Sequence, residues 1–316
     1  MGILVNGVWQ VDDLIQNKTD GKFIRPDSPF RDWITADGSP GPEGQKAYPA
    51  ERGRYHLYVS LACPWAHRTM IVRSLKGLED MISVSVVHWH MGDHSWNFEA
   101  AEDVIPDPII NAKYLYEIYC LAKPDMTGKV TVPVLFDKKE KKIVNNESSE
   151  IIRTFNEAFD DLGALPGHFY PAPLRGEIDE FNDRIYESLN NGVYKCGFAT
   201  TQEAYEEAYT PLFETLDFLE DELSEVDYLV GNQLTEADIR LFTTLIRFDS
   251  VYYGHFKCNK KRIQDYPNLH RFVARMMSNP KIEATVNMHH IKHHYYGSHR
   301  QLNPSGIVPV GPDTIY

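Results

Sequence analysis

An α/β domain followed by an all-helical domain is what this sequence predicts, and three observations carry the prediction. Between residues 54 and 158, short β-branched apolar runs alternate with stretches of helical spacing. From the end of the loop at Leu174 to about residue 283 the spacing is helical. The junction of the first strong strand and the first helix reads Cys63-Pro64, and a later strand contains Val132-Pro133. At 316 residues the chain exceeds the size at which one core stops growing, about 250–300 residues, so two domains are expected.

Residues 1–48 are rich in Gly, Pro and charge (RPDSPFRDW, ADGSPGPEG) and read as an irregular extension. RYHLYVSL, 54–61, reads as a buried strand. AHRTMIVRSLKGL, 66–78, has helical spacing, and Pro64 suits the first turn, where a missing N–H costs nothing. ISVSVVHW, 82–89, is a second strand, and a polar, aromatic insertion follows it. A helix is expected at 112–122, a strand at 129–136, a short partner strand at 141–144, and a helix from Glu147 to Ala158. The order is β-α-β-α-β-β-α.

In the helical half, Ile178, Phe181, Ile185 and Leu189 form one apolar stripe, and Tyr205, Tyr209, Leu212, Leu216 and Leu219 form another. Pro211 should kink the second helix or mark its start. Thr235-Glu236-Ala237-Asp238 is a capping box flanked by Leu234 and Ile239. A last helix is expected at about 267–278, and the His/Tyr-rich residues from Ala284 onward read as irregular.

The chain carries 32 Lys+Arg against 45 Asp+Glu, a net charge of −13. That balance lacks the electrostatic footprint of a nucleic-acid or anionic-membrane binder. No apolar run reaches the ~18 residues needed to span a bilayer. The start lacks a basic n-region, and the four cysteines (63, 120, 196 and 258) form no CxxC pair, so a reduced, intracellular chain is expected. The sequons Asn17-Lys18-Thr19 and Asn146-Glu147-Ser148 then count as chance matches.

Cys63 stands where first-turn amides favour a thiolate. Three residues on is Ala66, where a dithiol protein would carry its resolving cysteine. A disulfide on Cys63 must therefore be resolved by an external thiol, for which glutathione is the abundant candidate. Val132-Pro133 before a strand, if cis, would turn the Val132 backbone toward an extended peptide. Together these features describe a thioredoxin-type fold with a monothiol nucleophile. Ser148, at a helix start, can bind a carboxylate, and Glu147 can pair with an ammonium. Lys129 could reach a second carboxylate.

With these residues in place, the chain resembles the glutathione transferase superfamily, and within it the Xi class of glutathionyl-hydroquinone reductases. The likeness runs nearly end to end, through SPFRDWI (28–34), GRYHLYVSLACPWAHR (53–68), GKVTVPVLFD (128–137), NNESSEIIRTFN (145–156), NNGVYKCGFA (190–199) and IKHHYYGSHRQLNPSGIVPVGP (291–312). It implies a glutathione-transferase fold, α/β plus all-α, in four parts. These are an N-terminal extension (1–48), a thioredoxin-like glutathione-binding domain (49–166), a C-terminal helical bundle domain (167–283) and a C-terminal extension completing the substrate pocket (284–316).

The resemblance further implies a cytoplasmic homodimer that reduces glutathionyl-hydroquinones, with glutathione as co-substrate and no metal. Cys63 matches the nucleophile, while Trp96, Lys129, Val132, Glu147 and Ser148 match glutathione-binding positions. Lys129 stands where many relatives carry Arg, and it lacks the planar two-pronged grip. Tyr194, Tyr253 and Tyr296 match hydroquinone-pocket positions, with Tyr194 and Tyr296 counted as catalytic. Tyr252 and Tyr295 are adjacent and could exchange roles with their neighbours.

Three rival readings are weighed. The histidines at 88, 90 and 94, and those at 289, 290, 293 and 294, which make two i,i+4 pairs on a possible helical turn, could supply a zinc-hydrolase ligand set, but the resemblance accounts for the tail from Ile291 without metal. An Omega-like thioltransferase or dehydroascorbate reductase shares the Cys-Pro start but does not explain the Tyr-bearing tail. A non-catalytic protein binding glutathione or quinone conjugates would have no need of an intact Cys63.

Overall fold

The structure, a computed structural model, describes residues 2–11 and 20–312. The Asn17-Lys18-Thr19 sequon lies outside them. The chain divides into two compact units. Among the described residues, the first comprises 2–11, 27–167 and 285–298, and the second 20–26, 168–284 and 299–312.

The first unit is built on a four-stranded sheet. Two short ribbons precede it, β1 (Ile3–Val5) with β2 (Val8–Gln10) and β3 (Trp33–Thr35) with β4 (Ala47–Pro49). Then follow β5 (Tyr55–Val59), α1 (Pro64–Leu75), β6 (Ile82–Val86), α2 (Leu115–Ala122), β7 (Val134–Asp137), β8 (Lys142–Asn145) and α3 (Ser148–Glu157). The sheet order is β6-β5-β7-β8, with β5 parallel to β6 and antiparallel to β7. This is the predicted β-α-β-α-β-β-α order. Tyr55, Leu57, Tyr58 and Val59 are all fully buried, as a central strand covered on both faces requires.

The strand expected at 129–136 begins only at Val134. Proline cannot donate to a ladder, so pairing starts after Pro133, and the Thr131 amide donates to the Tyr119 hydroxyl instead (3.3 Å).

One polar side chain sits in the middle of the sheet. His56 lies opposite Ser83 in the β5–β6 register, and its two ring nitrogens meet two hydroxyls, Nδ1 with Ser83 Oγ (2.7 Å) and Nε2 with Ser85 Oγ (2.9 Å). Ser85 donates its own proton to the Pro106 carbonyl (2.9 Å), so it accepts from His56, and Nε2 carries the hydrogen. Nδ1 then accepts from Ser83, whose oxygen takes a bond from the Lys138 ammonium (3.4 Å). Every link is satisfied with a neutral imidazole.

The second unit is helical. It holds α4 (Arg175–Ile185), α5 (Gly192–Phe198), α6 (Gln202–Glu222), α7 (Glu236–Arg247), α8 (Tyr253–His255), α9 (Pro267–Met277) and α10 (Pro280–Glu283). Thr201 caps α6 by accepting from the Ala204 amide (3.2 Å). Pro211 does not mark the start of α6; it lies inside the helix, on an exposed turn where water can satisfy the carbonyl it leaves unpaired. At α7 the predicted box forms. Asp238 accepts from the Thr235 amide (2.8 Å) and hydroxyl (2.9 Å), and from the Leu229 amide (2.9 Å). All residues of α7 are buried, so it is the central helix of this unit.

The His/Tyr-rich tail departs from the expectation of an irregular segment. Residues Met288–Ser298 form a helix, α11, and they belong to the first unit. Two of its histidines four positions apart, His289 and His293, pack ring against ring at a tilt (3.9 Å between ring centroids), and both meet Trp89 in T-shaped contacts. The fold contains no helix long and apolar enough to cross a membrane among the described residues.

Candidate active site

Cys63 is the N-cap of α1, with extended backbone geometry and Pro64 in the first turn. It is partly exposed, and its thiol donates to the Val132 carbonyl at 3.6 Å. The two halves of the sequence signal, Cys-Pro and Val-Pro, thus meet although 69 residues separate them. The Val132–Pro133 peptide is cis.

A second helix start lies in the same unit. Glu147 caps α3, accepting from the Ser149 amide (3.0 Å) and hydroxyl (2.9 Å) through one oxygen and from the Ser28 hydroxyl (3.0 Å) through the other. Burial alone pushes the Glu147 carboxyl up, but the Ser149 bonds, the Arg68 charge and the Ser28 hydroxyl together hold it below the ordinary carboxylate value. Ser148 is buried, with its hydroxyl 3.4 Å from Arg68 Nη1. Arg68 is itself buried and lies over the Trp65 ring (4.5 Å). A fixed positive charge therefore stands behind both residues of the Glu147-Ser148 pair.

The first extension takes part in this arrangement. Phe30 donates its amide to Asn146 (3.1 Å), and Arg31 Nε bonds Glu150 (2.7 Å) in the first turn of α3. Ser28 and Ser149 are the site residues that motif reading did not single out. Ser28 was visible only as part of SPFRDWI, because its partner is 119 positions away.

Lys129 is half-buried, and desolvation holds its ammonium below the ordinary lysine value. Trp96 is buried and stacks on His294 of α11 (4.9 Å, 23°). Tyr296, also on α11, is half-exposed, whereas Tyr295 is buried. Cys63, Val132, Glu147, Ser148, Trp96, Lys129 and Tyr296 all belong to the first unit, and Tyr194 and Tyr253 to the second.

Within the second unit, the Tyr194 ring carries the Arg25 guanidinium (4.9 Å) and packs on Phe256 (5.4 Å). Tyr253 is half-exposed, and its neighbour Tyr252 is fully buried. In both adjacent pairs, then, the tyrosine matched by motif is the one with a free surface.

The histidines follow a different pattern. His88, His90 and His94 line an open pocket of about 240 Å³ with Asp93, Glu99 and Tyr114. His88 Nδ1 accepts from the His90 amide (2.9 Å), and His94 stacks on Tyr114 (4.6 Å). Among the described residues, no three His, Cys, Asp or Glu side chains are placed to hold a metal ion together.

Comparison with known proteins places this geometry in context. The glutathione S-transferase N-terminal domain family matches residues 62–158, and the C-terminal domain family matches residues 202–275. The chain is 56% identical over 312 residues to the glutathionyl-hydroquinone reductase PcpF of Sphingobium chlorophenolicum, covering 99% of this chain and 96% of that protein. The glutathione-bound structure of the glutathione transferase homologue YqjG from Escherichia coli K-12 superposes with a TM-score of 0.92 at 52% identity, covering 99% and 96% of the two chains. Glutathione-S-transferase Xi from Phanerochaete chrysosporium gives a TM-score of 0.87 at 53% identity, covering 92% and 98%.

Proposed function

The chain belongs to the glutathione transferase superfamily, in its Xi class of glutathionyl-hydroquinone reductases, and from that membership we propose that it reduces glutathionyl-hydroquinones with glutathione. One observation carries the proposal in this molecule. Cys63 caps a helix within bonding distance of the Val132 carbonyl, and Ala66 stands where a resolving thiol would be. Such a site can accept a glutathionyl sulfur and must return it to an external thiol.

The chemistry follows from that constraint. The Cys63 thiolate attacks the sulfur of the substrate's glutathionyl group, and the sulfur–aryl bond breaks. Its electron pair goes to the ring carbon, which takes a proton and leaves as the free hydroquinone. Cys63 is left in a mixed disulfide with glutathione. A second glutathione thiolate attacks that disulfide, releasing glutathione disulfide and the Cys63 thiolate. Over the cycle the substrate's thioether sulfur and one glutathione thiol are each oxidised by one electron, Cys63 is regenerated, and one aryl carbon is reduced by two electrons. Tyr194, Tyr253 and Tyr296 are assigned to the hydroquinone. Tyr194 and Tyr296 supply phenol hydroxyls that stabilise the ring oxygen and deliver the proton.

Glutathione recognition is assigned to Val132, Glu147, Ser148, Lys129 and Trp96. A chain at −13 cannot draw in an anionic tripeptide by its overall field, so attraction must be local. The α1 and α3 amides, the buried Arg68 and Lys129 provide it, while the ionised Glu147 suits the γ-glutamyl ammonium. The protein is taken to act as a cytoplasmic homodimer, as its family implies, with residues 1–48 and 284–316 completing the two-domain enzyme.

The deciding experiment supplies glutathionyl-menadiol and glutathione to the purified protein. Release of menadiol with one glutathione disulfide per turnover is expected. Weak menadiol release beside strong activity on 2-hydroxyethyl disulfide would replace this reading with an Omega-like thioltransferase. Glu147→Gln is expected to raise the KM for glutathione about 10-fold, the worth of one charge-assisted bond, with a smaller change in kcat. An unchanged KM would remove Glu147 from the binding site.

A further inference from the structure

The tail helix α11 is fastened to the insertion between β6 and α2 by a series of polar contacts along its length. Asn287 bonds Asp103 (2.7 Å), His290 Nε2 donates to the Glu102 carbonyl (3.0 Å), and the Met91 amide donates to Ser298 (3.0 Å). Between these lies His294, which is itself buried. Its ring lies face to face with Trp96 (4.9 Å, 23°), and its Nδ1 is 2.8 Å from the Trp89 carbonyl. A carbonyl only accepts, so Nδ1 carries the hydrogen. One imidazole thus orients the indole with its face and pins α11 with its edge. Tyr296 follows two residues later on the same helix.

We propose that His294 is a positioning residue that couples the two halves of the substrate site, holding Trp96 over glutathione and setting the helix that presents Tyr296 to the hydroquinone. This rests on the roles given above to Trp96 and Tyr296. The two interactions are separable in consequence. Loss of the stacked face frees the indole and weakens the hold on glutathione whatever the second substrate. Loss of the Nδ1–H bond shifts α11 and slows the step that uses Tyr296, which a simple disulfide does not need.

His294→Asn keeps a donor where Nδ1 lies and removes the face, whereas His294→Phe keeps the face and removes the donor. Both are assayed with glutathionyl-menadiol and with 2-hydroxyethyl disulfide. His294→Asn is expected to raise the glutathione KM about 3- to 10-fold with both substrates, the worth of an aromatic stack, with kcat on the disulfide nearly unchanged. His294→Phe is expected to keep the glutathione KM and to lower kcat about 5-fold on glutathionyl-menadiol alone.

A merely structural role would lower kcat on both substrates in the same proportion with KM unmoved, and that result overturns the proposal, as would wild-type kinetics in both variants. If His294→Asn does not fold, the substrate-selective fall in kcat of His294→Phe carries the test. Trp96→Ala separates the two levels. If it raises the glutathione KM and His294→Asn does not, the coupling by His294 is wrong while the Trp96 assignment stands. If Trp96→Ala leaves the KM unchanged, the cover role fails and the coupling falls with it.

Discussion

Cys63→Ser is expected to lower turnover of glutathionyl-menadiol by about 10³-fold or more, equivalent to at least ~4 kcal/mol of barrier. A serine at the N-cap fits the local backbone, since the position is extended and the cap favours a hydroxyl, so the variant should fold. Its hydroxyl, however, is not ionised near neutral pH and does not attack sulfur. The other three thiols offer no substitute. Burial, assisted by Glu117, pushes the Cys120 thiol up, and burial beside Cys196 pushes the Cys258 thiol well up. Cys196 is itself buried. Incubation with glutathione disulfide followed by mass spectrometry should find one glutathione on the wild type and none on Cys63→Ser. Turnover by the serine variant at the wild-type rate would end the nucleophile assignment.

Legibility from the sequence tracked the range of the interactions. The strand–Cys–Pro–helix junction and the Thr235/Asp238 cap are set by residues within a turn of one another, so spacing reveals them. Glu147-Ser148 at the start of α3 was visible for the same reason, but the pairings that fix its charge were not. Ser28 and Arg68 reach Glu147 and Ser148 across 119 and 80 residues, and no periodicity records such pairings. The tail shows the limit most clearly. Its histidines looked like metal ligands or loop residues, because a run of His and Tyr carries no apolar stripe. Trp89, about 200 positions earlier, supplies the surface on which α11 closes. The tyrosine assignments drew on resemblance, and burial now gives them a physical distinction, since Tyr252 and Tyr295 have little surface left to offer a ligand.

Below pH 6.5 the first unit is expected to lose stability in a way that traces to His56. The imidazole is held to about 4 against an ordinary 6.5, first by burial and then by the Lys138 charge. Between those values the unfolded chain binds a proton that the native sheet refuses, so native stability falls as pH drops. The contribution is complete above pH 6.5 and is lost progressively toward pH 4, for a total of roughly 3 kcal/mol. The bonding pattern gives the cause. A proton on Nδ1 would have to point at Ser83 Oγ, which already receives the Lys138 ammonium and would be left with no acceptor for its own hydrogen.

The measurement can be confined to the right part of the molecule. All five tryptophans (9, 33, 65, 89 and 96) lie in the first unit, so their fluorescence during urea unfolding reports on that unit. His255, likewise held to about 4 by burial, lies in the second unit. His56→Gln can still donate to one hydroxyl and accept from the other. It is expected to cost about 1–2 kcal/mol at pH 7.5 while flattening the decline between pH 6.5 and 4.5. Carboxylates titrating lower down act equally in both proteins, so the difference between the two curves isolates the histidine. Parallel curves would show that His56 is not the source of the acid sensitivity. A wild-type curve flat down to pH 4.5 would show that the imidazole accepts its proton inside the sheet.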